Sequence, residues 1–198
     1  MNTLEQRRDP EPANIPGGGK GGRATSGEIS ARREVYHGKV VSLELQTLRL
    51  SDGRSPTSEV VLHRPCVAMV PVDADGRIIL VRQFRAPAAS ELLEIPAGGI
   101  DEGEAIEAAV QRELQEETGF RAGSIRRLGA FYTAPGYCTE FIHIFRCESL
   151  SESRLAADED EQIEVVRWTL EEALAGIASG EIRDAKSVAG LLLYARGQ

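Results

Sequence analysis

Alternating hydrophobic and polar positions predict a small β unit early in the chain. Residues 41–46 read Val-Ser-Leu-Glu-Leu-Gln, the pattern of a strand with one buried face. Turns are predicted at residues 36–39 and at Asp52-Gly53, and a returning strand at residues 59–63. We therefore predict that residues 29–64 form an antiparallel β domain. It is too small to bury a core alone, so it must pack on the main domain or on a second subunit.

From residue 65 onward, strand patterns and helix patterns are interspersed. Two apolar runs, residues 66–72 and 77–84, flank the turn sequence Asp-Ala-Asp-Gly, and we predict a hairpin there. Further strands are predicted at residues 91–96, 124–133, 141–147 and 164–169. These patterns predict an α+β domain over residues 65–198, with a mixed sheet between helices.

Helix boundaries are predicted from capping residues. Asp101 with Glu104 resembles a capping box, and Gly119 is the expected end of that helix. Thr169 with Glu172 predicts a helix to about residue 179, and Asp184 opens a last helix through residue 194. Residues 1–28 are rich in Gly, Pro and charge, and we expect a flexible leader.

Three glutamates of the first predicted helix share one face. Glu113, Glu116 and Glu117 are spaced i, i+3, i+4, and they continue the apolar face formed by Ala109 and Val110. A glutamate-rich helix is usually solvated, but carboxylates turned towards a core repel one another unless a positive charge lies between them. A dense set of oxygen ligands suits a hard cation, Mg²⁺ or Mn²⁺.

Composition excludes several classes of function. The chain has 198 residues, 41% of them hydrophobic, which is enough for a core. The net charge of −8 argues against a nucleic-acid partner. Three cysteines without framework spacing indicate reduced thiols and a cytoplasmic location. We also expect no signal peptide and no membrane span.

The glutamate helix lies within a longer motif. It comprises Gly98, Glu104, Arg112-Glu113-Leu114, Glu116-Glu117 and Gly119. This motif resembles the Nudix box, with Phe120 as a mild departure at an aliphatic position. The resemblance implies a metal-dependent hydrolase that cleaves a nucleoside diphosphate linked to another group, built on an α/β/α sandwich.

Segments outside the box resemble the ADP-ribose pyrophosphatase subfamily. They are Pro135, fifteen residues after Phe120, the entry sequence 94–98, the acidic loop 158–161 and the closing segment 187–194. Residues 138–140, Cys-Thr-Glu, depart from the Ser or Thr, Asp-Glu found in many relatives. The resemblance also implies a homodimer in which the 29–64 unit crosses to the partner and helps to shape the nucleotide pocket.

The resemblance implies roles for individual residues. The metal ligands would be the backbone carbonyl of Ala97 and the carboxylates of Glu113, Glu116 and Glu117. The general base would be Glu161, with Glu116 as the alternative; from spacing alone, residues 158–161 are a solvated acidic loop. Arg112 would pair with carboxylates beside the catalytic centre, and Glu104 would anchor the loop.

Substrate contacts are expected from residues on three segments. Arg85 would contact the diphosphate, although an exposed arginine is its default interpretation. The other residues implied are Gly98, Pro135, Gly136 and Glu140, and Pro135-Gly136 also fits an ordinary turn.

Two classes of function remain open. The first is an enzyme that hydrolyses ADP-ribose to AMP and ribose 5-phosphate, with other ADP-sugars, GDP-mannose or dinucleoside polyphosphates as alternatives. The second is a nucleotide sensor without turnover, which the intact box disfavours.

Overall fold

The computed structural model describes residues 27–155 and 162–197. In chain order the strands are β1 (Gly27–His37), β2 (Val41–Leu50), β3 (Thr57–His63), β4 (Cys66–Pro71), β5 (Ile78–Arg85), β6 (Ser90–Glu94), β7 (Ala97–Gly99), β8 (Phe120–Tyr132), β9 (Phe141–Glu152) and β10 (Glu164–Trp168). The helices are α1 (Ile106–Thr118), α2 (Leu170–Ser179) and α3 (Ala185–Arg196). No helix of the described ranges is long and apolar enough to cross a membrane.

The N-terminal strands form a separate antiparallel sheet in the order β1-β2-β3. Strand β2 pairs with β3 from Val41↔His63 to Thr47↔Thr57, as the alternating pattern predicts. Strand β1 is longer than the sequence pattern predicts. It begins at Gly27, within the predicted leader, and runs through His37, within the predicted turn. β1 is exposed and has only a weak apolar pattern. It forms a strand because it pairs with β2 along the length of β2. The rest of the predicted leader, residues 1–26, lies outside the described residues.

The main sheet has the order β7-β4-β9-β8, with β4 and β9 parallel and the other pairs antiparallel. Every residue of β4 is buried, and alternate side chains enter two different clusters. Val67 and Met69 pack in the α1 cluster. Ala68 and Val70 pack with Leu191 of α3 in the other. The sheet is thus covered on both faces, which confirms the α/β/α sandwich with a mixed sheet.

The predicted hairpin of residues 66–72 and 77–84 is wrong. Strand β5 belongs to a second sheet, of order β10-β5-β6, and meets the first strand only at the isolated bridge Val72↔Ile78. β4 is buried throughout and the first four residues of β5 are buried, so each strand must be covered on both faces. Apolar runs of this kind do not specify a partner strand.

The helix starts predicted from capping residues are confirmed for α2 and α3 and are wrong for α1. Thr169 and Glu172 form a capping box on α2, and Asp184 caps α3 through Ser187. Gly119 ends α1 in the left-handed conformation, at φ 78°. Asp101 is not the N-cap, because α1 begins at Ile106. The Glu104 carboxylate still accepts from the Asp101 N–H at 3.0 Å, but this bond closes a turn ahead of the helix.

The N-terminal sheet joins the core through β3. The Val61 N–H donates to the Tyr137 carbonyl at 2.7 Å, and the Thr139 N–H donates to the Val61 carbonyl at 3.0 Å. The His63 N–H donates to Thr139 Oγ1 at 2.9 Å. The loop after β8 is therefore held against the end of β3, beside the candidate site.

Candidate active site

Helix α1 places its glutamates as its spacing predicts. Glu113 and Glu117 are buried, with 9% and 6% of their surfaces exposed, and Glu116 is half-buried. Leu114 and Val110 anchor the helix in the core. The neighbouring face is occupied by Gln111, which hydrogen-bonds the backbone of Ala122 and fixes the helix against β8.

Arg112 lies at the centre of the carboxylates. It grips Glu104 with two hydrogen bonds, from Nε at 2.9 Å and from Nη2 at 2.8 Å. Its Nη1 donates to Glu113 at 2.6 Å and to Glu116 at 3.2 Å, and Nη2 also reaches the Gly99 carbonyl at 2.9 Å. The guanidinium supplies the positive charge that these carboxylates require.

This network shifts the pKa values of both partners. The hydrogen bond to Arg112 holds the pKa of Glu104 below its usual value, against the opposing effect of burial. The hydrogen bond to Glu104 likewise raises the pKa of Arg112, with Glu113 adding to it. Glu104 therefore anchors the loop before α1 through its bonds to Arg112. Arg112 stays positively charged at every pH at which the protein is folded.

Glycine backbone brings β7 against the glutamates. The Ala97 N–H donates to the Glu117 carboxylate at 3.0 Å. A Cβ at Gly98 would overlap the carboxylate of Glu113, far inside the 3.0 Å that real Cβ contacts respect. A residue without a side chain at position 98 therefore leaves the Glu113 carboxylate in the place that it occupies here.

Arg85, a predicted substrate contact, belongs to a second charged group whose other members, Glu94 and Lys186, were not predicted as site residues. Glu94, with 1% of its surface exposed, accepts from Arg85 at 3.0 and 2.8 Å and pairs closely with Lys186. Lys186 also donates to Asp184 at 2.8 Å. Burial opposes ionisation of Glu94, but hydrogen bonds from Arg85 and Lys186 outweigh it and lower the pKa of this carboxyl.

A cleft of about 700 Å³ joins these groups. Its lining includes Arg85, Glu94, Ala97, Gly98 and Lys186. The carboxylate of Glu113 lies against one of these lining residues, Gly98. Lys186 comes from α3, and nothing in the sequence places it beside Glu94. Its only local signal is its position two residues after the helix cap Asp184.

The remaining predicted site residues are placed differently. Glu140 lines the cleft and accepts from Thr133 Oγ1 at 2.7 Å. Pro135 and Gly136 form an exposed turn, closed by the Tyr137 N–H on the Ala134 carbonyl. Neither residue of this turn is part of the cleft lining, so their substrate role remains a prediction. Glu161 and the acidic loop 158–161 lie outside the described residues.

The sequence is similar to one domain family and to known proteins from two bacteria. The model of the NUDIX domain matches residues 62–191. ADP-ribose pyrophosphatase from Bacillus subtilis (strain 168) is 42% identical over 159 residues, which is 79% of this chain and 86% of that protein. Methanol dehydrogenase activator from Bacillus methanolicus is 36% identical over 78% of this chain and 85% of that protein.

The fold is also shared with a solved structure. The crystal structure of an ADP compounds hydrolase aligns with a TM-score of 0.80 and 28% identity, over 88% of this chain and 96% of that one. The matched family model spans the sheet, α1 and most of α3, and the relatives are similar over most of their own length. The chain therefore belongs to the NUDIX family and is a Nudix hydrolase.

Proposed function

We propose that this protein hydrolyses the diphosphate of ADP-ribose, giving AMP and ribose 5-phosphate, with Mg²⁺ or Mn²⁺ as cofactor. The observation that carries the proposal is the junction of α1 and β7. There, Glu113 and Glu116 surround Arg112, and the carboxylate of Glu113 lies against Gly98. Gly98 lines a cleft that also carries Arg85 and Lys186. A diphosphate needs cations on both sides, and this cleft can offer protein cations on one side and metal on the other.

The residues present fit a hard divalent cation. The carboxylates of Glu113, Glu116 and Glu117 and the carbonyl of Ala97 are all oxygen donors, the type that Mg²⁺ and Mn²⁺ prefer. Bound there, the metal supplies charge that neutralises the diphosphate and acidifies a water. The Nη1 of Arg112 donates to both Glu113 and Glu116, so these carboxylates already face one positive group.

The side chains of the cleft have separable tasks in this scheme. Arg85 and Lys186 hold the diphosphate, and Glu94 keeps both cations oriented by pairing with each. Glu161 accepts the proton of the attacking water, with Glu116 as the alternative base. As the water oxygen bonds to phosphorus, the bond from phosphorus to the bridging oxygen breaks. Arg112 positions Glu113 and Glu116 without touching substrate.

We also infer a homodimer built through the N-terminal sheet. Strand β1 is exposed along its length, and large apolar side chains stand open to solvent there, including Ile29, Val35 and Tyr36 at 40%, 49% and 58%. An edge strand with apolar residues favours pairing with a second copy. Lys39 and Val40, which follow β1, line the cleft of the same chain, so pairing of β1 with a second copy would take place beside the nucleotide pocket. We further propose a cytoplasmic location, because the described cysteines are free and two of them are buried.

GDP-mannose is the second candidate substrate. GDP-mannose pyrophosphatase from Citrobacter koseri is 42% identical to this chain over 120 residues, but that covers 56% of this chain and 62% of that protein. The similarity to the ADP-ribose pyrophosphatase extends over more of both proteins, which favours the adenine nucleotide.

A substrate panel tests the proposal. The purified chain is incubated with ADP-ribose, other ADP-sugars, GDP-mannose and a dinucleoside polyphosphate, each with Mg²⁺, Mn²⁺ or a chelator, and products are resolved by chromatography. We expect the highest kcat/KM with ADP-ribose, and no turnover with the chelator. The Glu113→Gln variant should lose about 100-fold or more in kcat. Turnover of the substrates in metal-free buffer would refute the metal-dependent mechanism. A higher kcat/KM for GDP-mannose than for ADP-ribose would select the second candidate.

A further inference from the structure

A second set of ligand groups lies in the cleft, on elements other than α1. His63 ends β3, Cys66 begins β4 and Glu140 precedes β9. Their ligand atoms all lie within 4.8 Å of one another, the one group of this kind in residues 27–155 and 162–197. The sequence did not reveal it, because residue 140 is 74 positions from Cys66.

The three distances match the ligand shell of a small metal ion. Cys66 Sγ lies 3.8 Å from His63 Nδ1 and 3.5 Å from Glu140 Oε1, and those two atoms are 3.7 Å apart. Zinc binds thiolate at ~2.3 Å and imidazole or carboxylate at ~2.0–2.2 Å. In a tetrahedron these lengths separate the ligand atoms by roughly 3.4–3.6 Å. The side chains therefore need to move by only a few tenths of an ångström.

Ligand chemistry selects the type of ion. A thiolate and an imidazole are softer donors than the all-oxygen α1 set and suit Zn²⁺ or Co²⁺ rather than Mg²⁺. Thr133 Oγ1 holds the second Glu140 oxygen at 2.7 Å, which orients the carboxylate towards Cys66 in the manner of an outer-shell partner. Because all three residues line the cleft, the fourth position of a tetrahedral ion can be taken by water.

We propose that His63, Cys66 and Glu140 form a second metal site, selective for Zn²⁺-like cations and built from ligands other than the α1 carboxylates. On binding, the Cys66 thiol releases its proton to solvent. His63 Nδ1 lies 2.7 Å from the Arg64 carbonyl, so this hydrogen bond is given up and the ring proton moves to Nε2. The bound ion would link the N-terminal sheet to the core at the cleft.

Cobalt titration provides a readout that does not depend on activity. Thiolate ligation gives Co²⁺ an intense near-ultraviolet charge-transfer band, whereas oxygen ligands do not. We expect this band in the full-length protein, saturating at one ion per chain and displaced by Zn²⁺. Cys66→Ser should abolish it. Cys138→Ser, in the loop beside Glu140, is the matched control and should keep it.

Two further variants guard against misfolding of Cys66→Ser. His63→Gln and Glu140→Gln should each weaken Co²⁺ binding at least tenfold, and Zn²⁺ should raise the Tm of the unmodified protein but not of these variants. Absence of the band, its survival in Cys66→Ser or its loss in Cys138→Ser would overturn the proposal. So would unchanged affinity in both glutamine variants. None of these results depends on the substrate assignment, since the substrate panel tests that separately.

Discussion

Gly98→Ala isolates the contact between β7 and the catalytic helix. The new methyl group would overlap the carboxylate of Glu113, where ordinary contact begins at 3.4 Å. Because the overlapped group is the far end of a flexible side chain, the carboxylate gives way rather than the strand. It must move by ~1 Å or more, and a misplacement of that size can cost a catalytic site ~100-fold, or about 2.7 kcal/mol.

The assay is steady-state hydrolysis of ADP-ribose, with thermal unfolding measured in parallel. We expect kcat to fall about 100-fold in Gly98→Ala, while the Tm changes little. In the Glu113→Gln background the same substitution should cost far less, because the displaced group is already impaired. Gly99→Ala is the positional control: its Cβ meets the guanidinium of Arg64, whose side chain is 55% exposed and can swing into solvent.

Two outcomes would refute the reasoning. If Gly98→Ala keeps its kcat, the close approach of Gly98 to Glu113 has no catalytic role. If its effect is fully additive with Glu113→Gln, the methyl group acts through some other contact.

The remaining predictions concern charge. Arg112→Lys loses the forked grip on Glu104, so the free energy of unfolding in urea should fall by about 2 kcal/mol and kcat should fall with it; an unchanged urea midpoint would contradict this. Glu94→Gln should cost about 2 kcal/mol at pH 7, since Arg85 and Lys186 lose their counter-charge. The folded-state pKa of Glu94 is below its ordinary 4.5, so this contribution is complete above pH 4.5 and is lost as pH falls. The Tm difference between the two proteins should therefore shrink on acidification, and a constant difference would count against the ion pairs. Glu161→Gln should lower kcat by roughly 10²–10⁴ with metal affinity unchanged; a matching shift in the metal titration would make Glu161 a ligand instead.

The sequence alone determined features that depend on local spacing. The i, i+3, i+4 glutamates needed only helical geometry to share a face. The caps at Thr169, Asp184 and Gly119 are formed by residues within a few positions of one another. The period-2 pattern of β2 and the fixed spacing of the box were equally local. The box carried the resemblance to the family, and the resemblance implied the sandwich.

Tertiary structure decided which distant residues meet. The apolar runs of β4 and β5 specify burial on two faces but no partner, so only packing assigns them to different sheets. Lys186 reaches Glu94 across 92 positions, and His63, Cys66 and Glu140 meet because the loop after β8 bonds to β3. Such contacts leave no periodic trace in a chain, because they depend on how finished elements dock and not on local backbone preference.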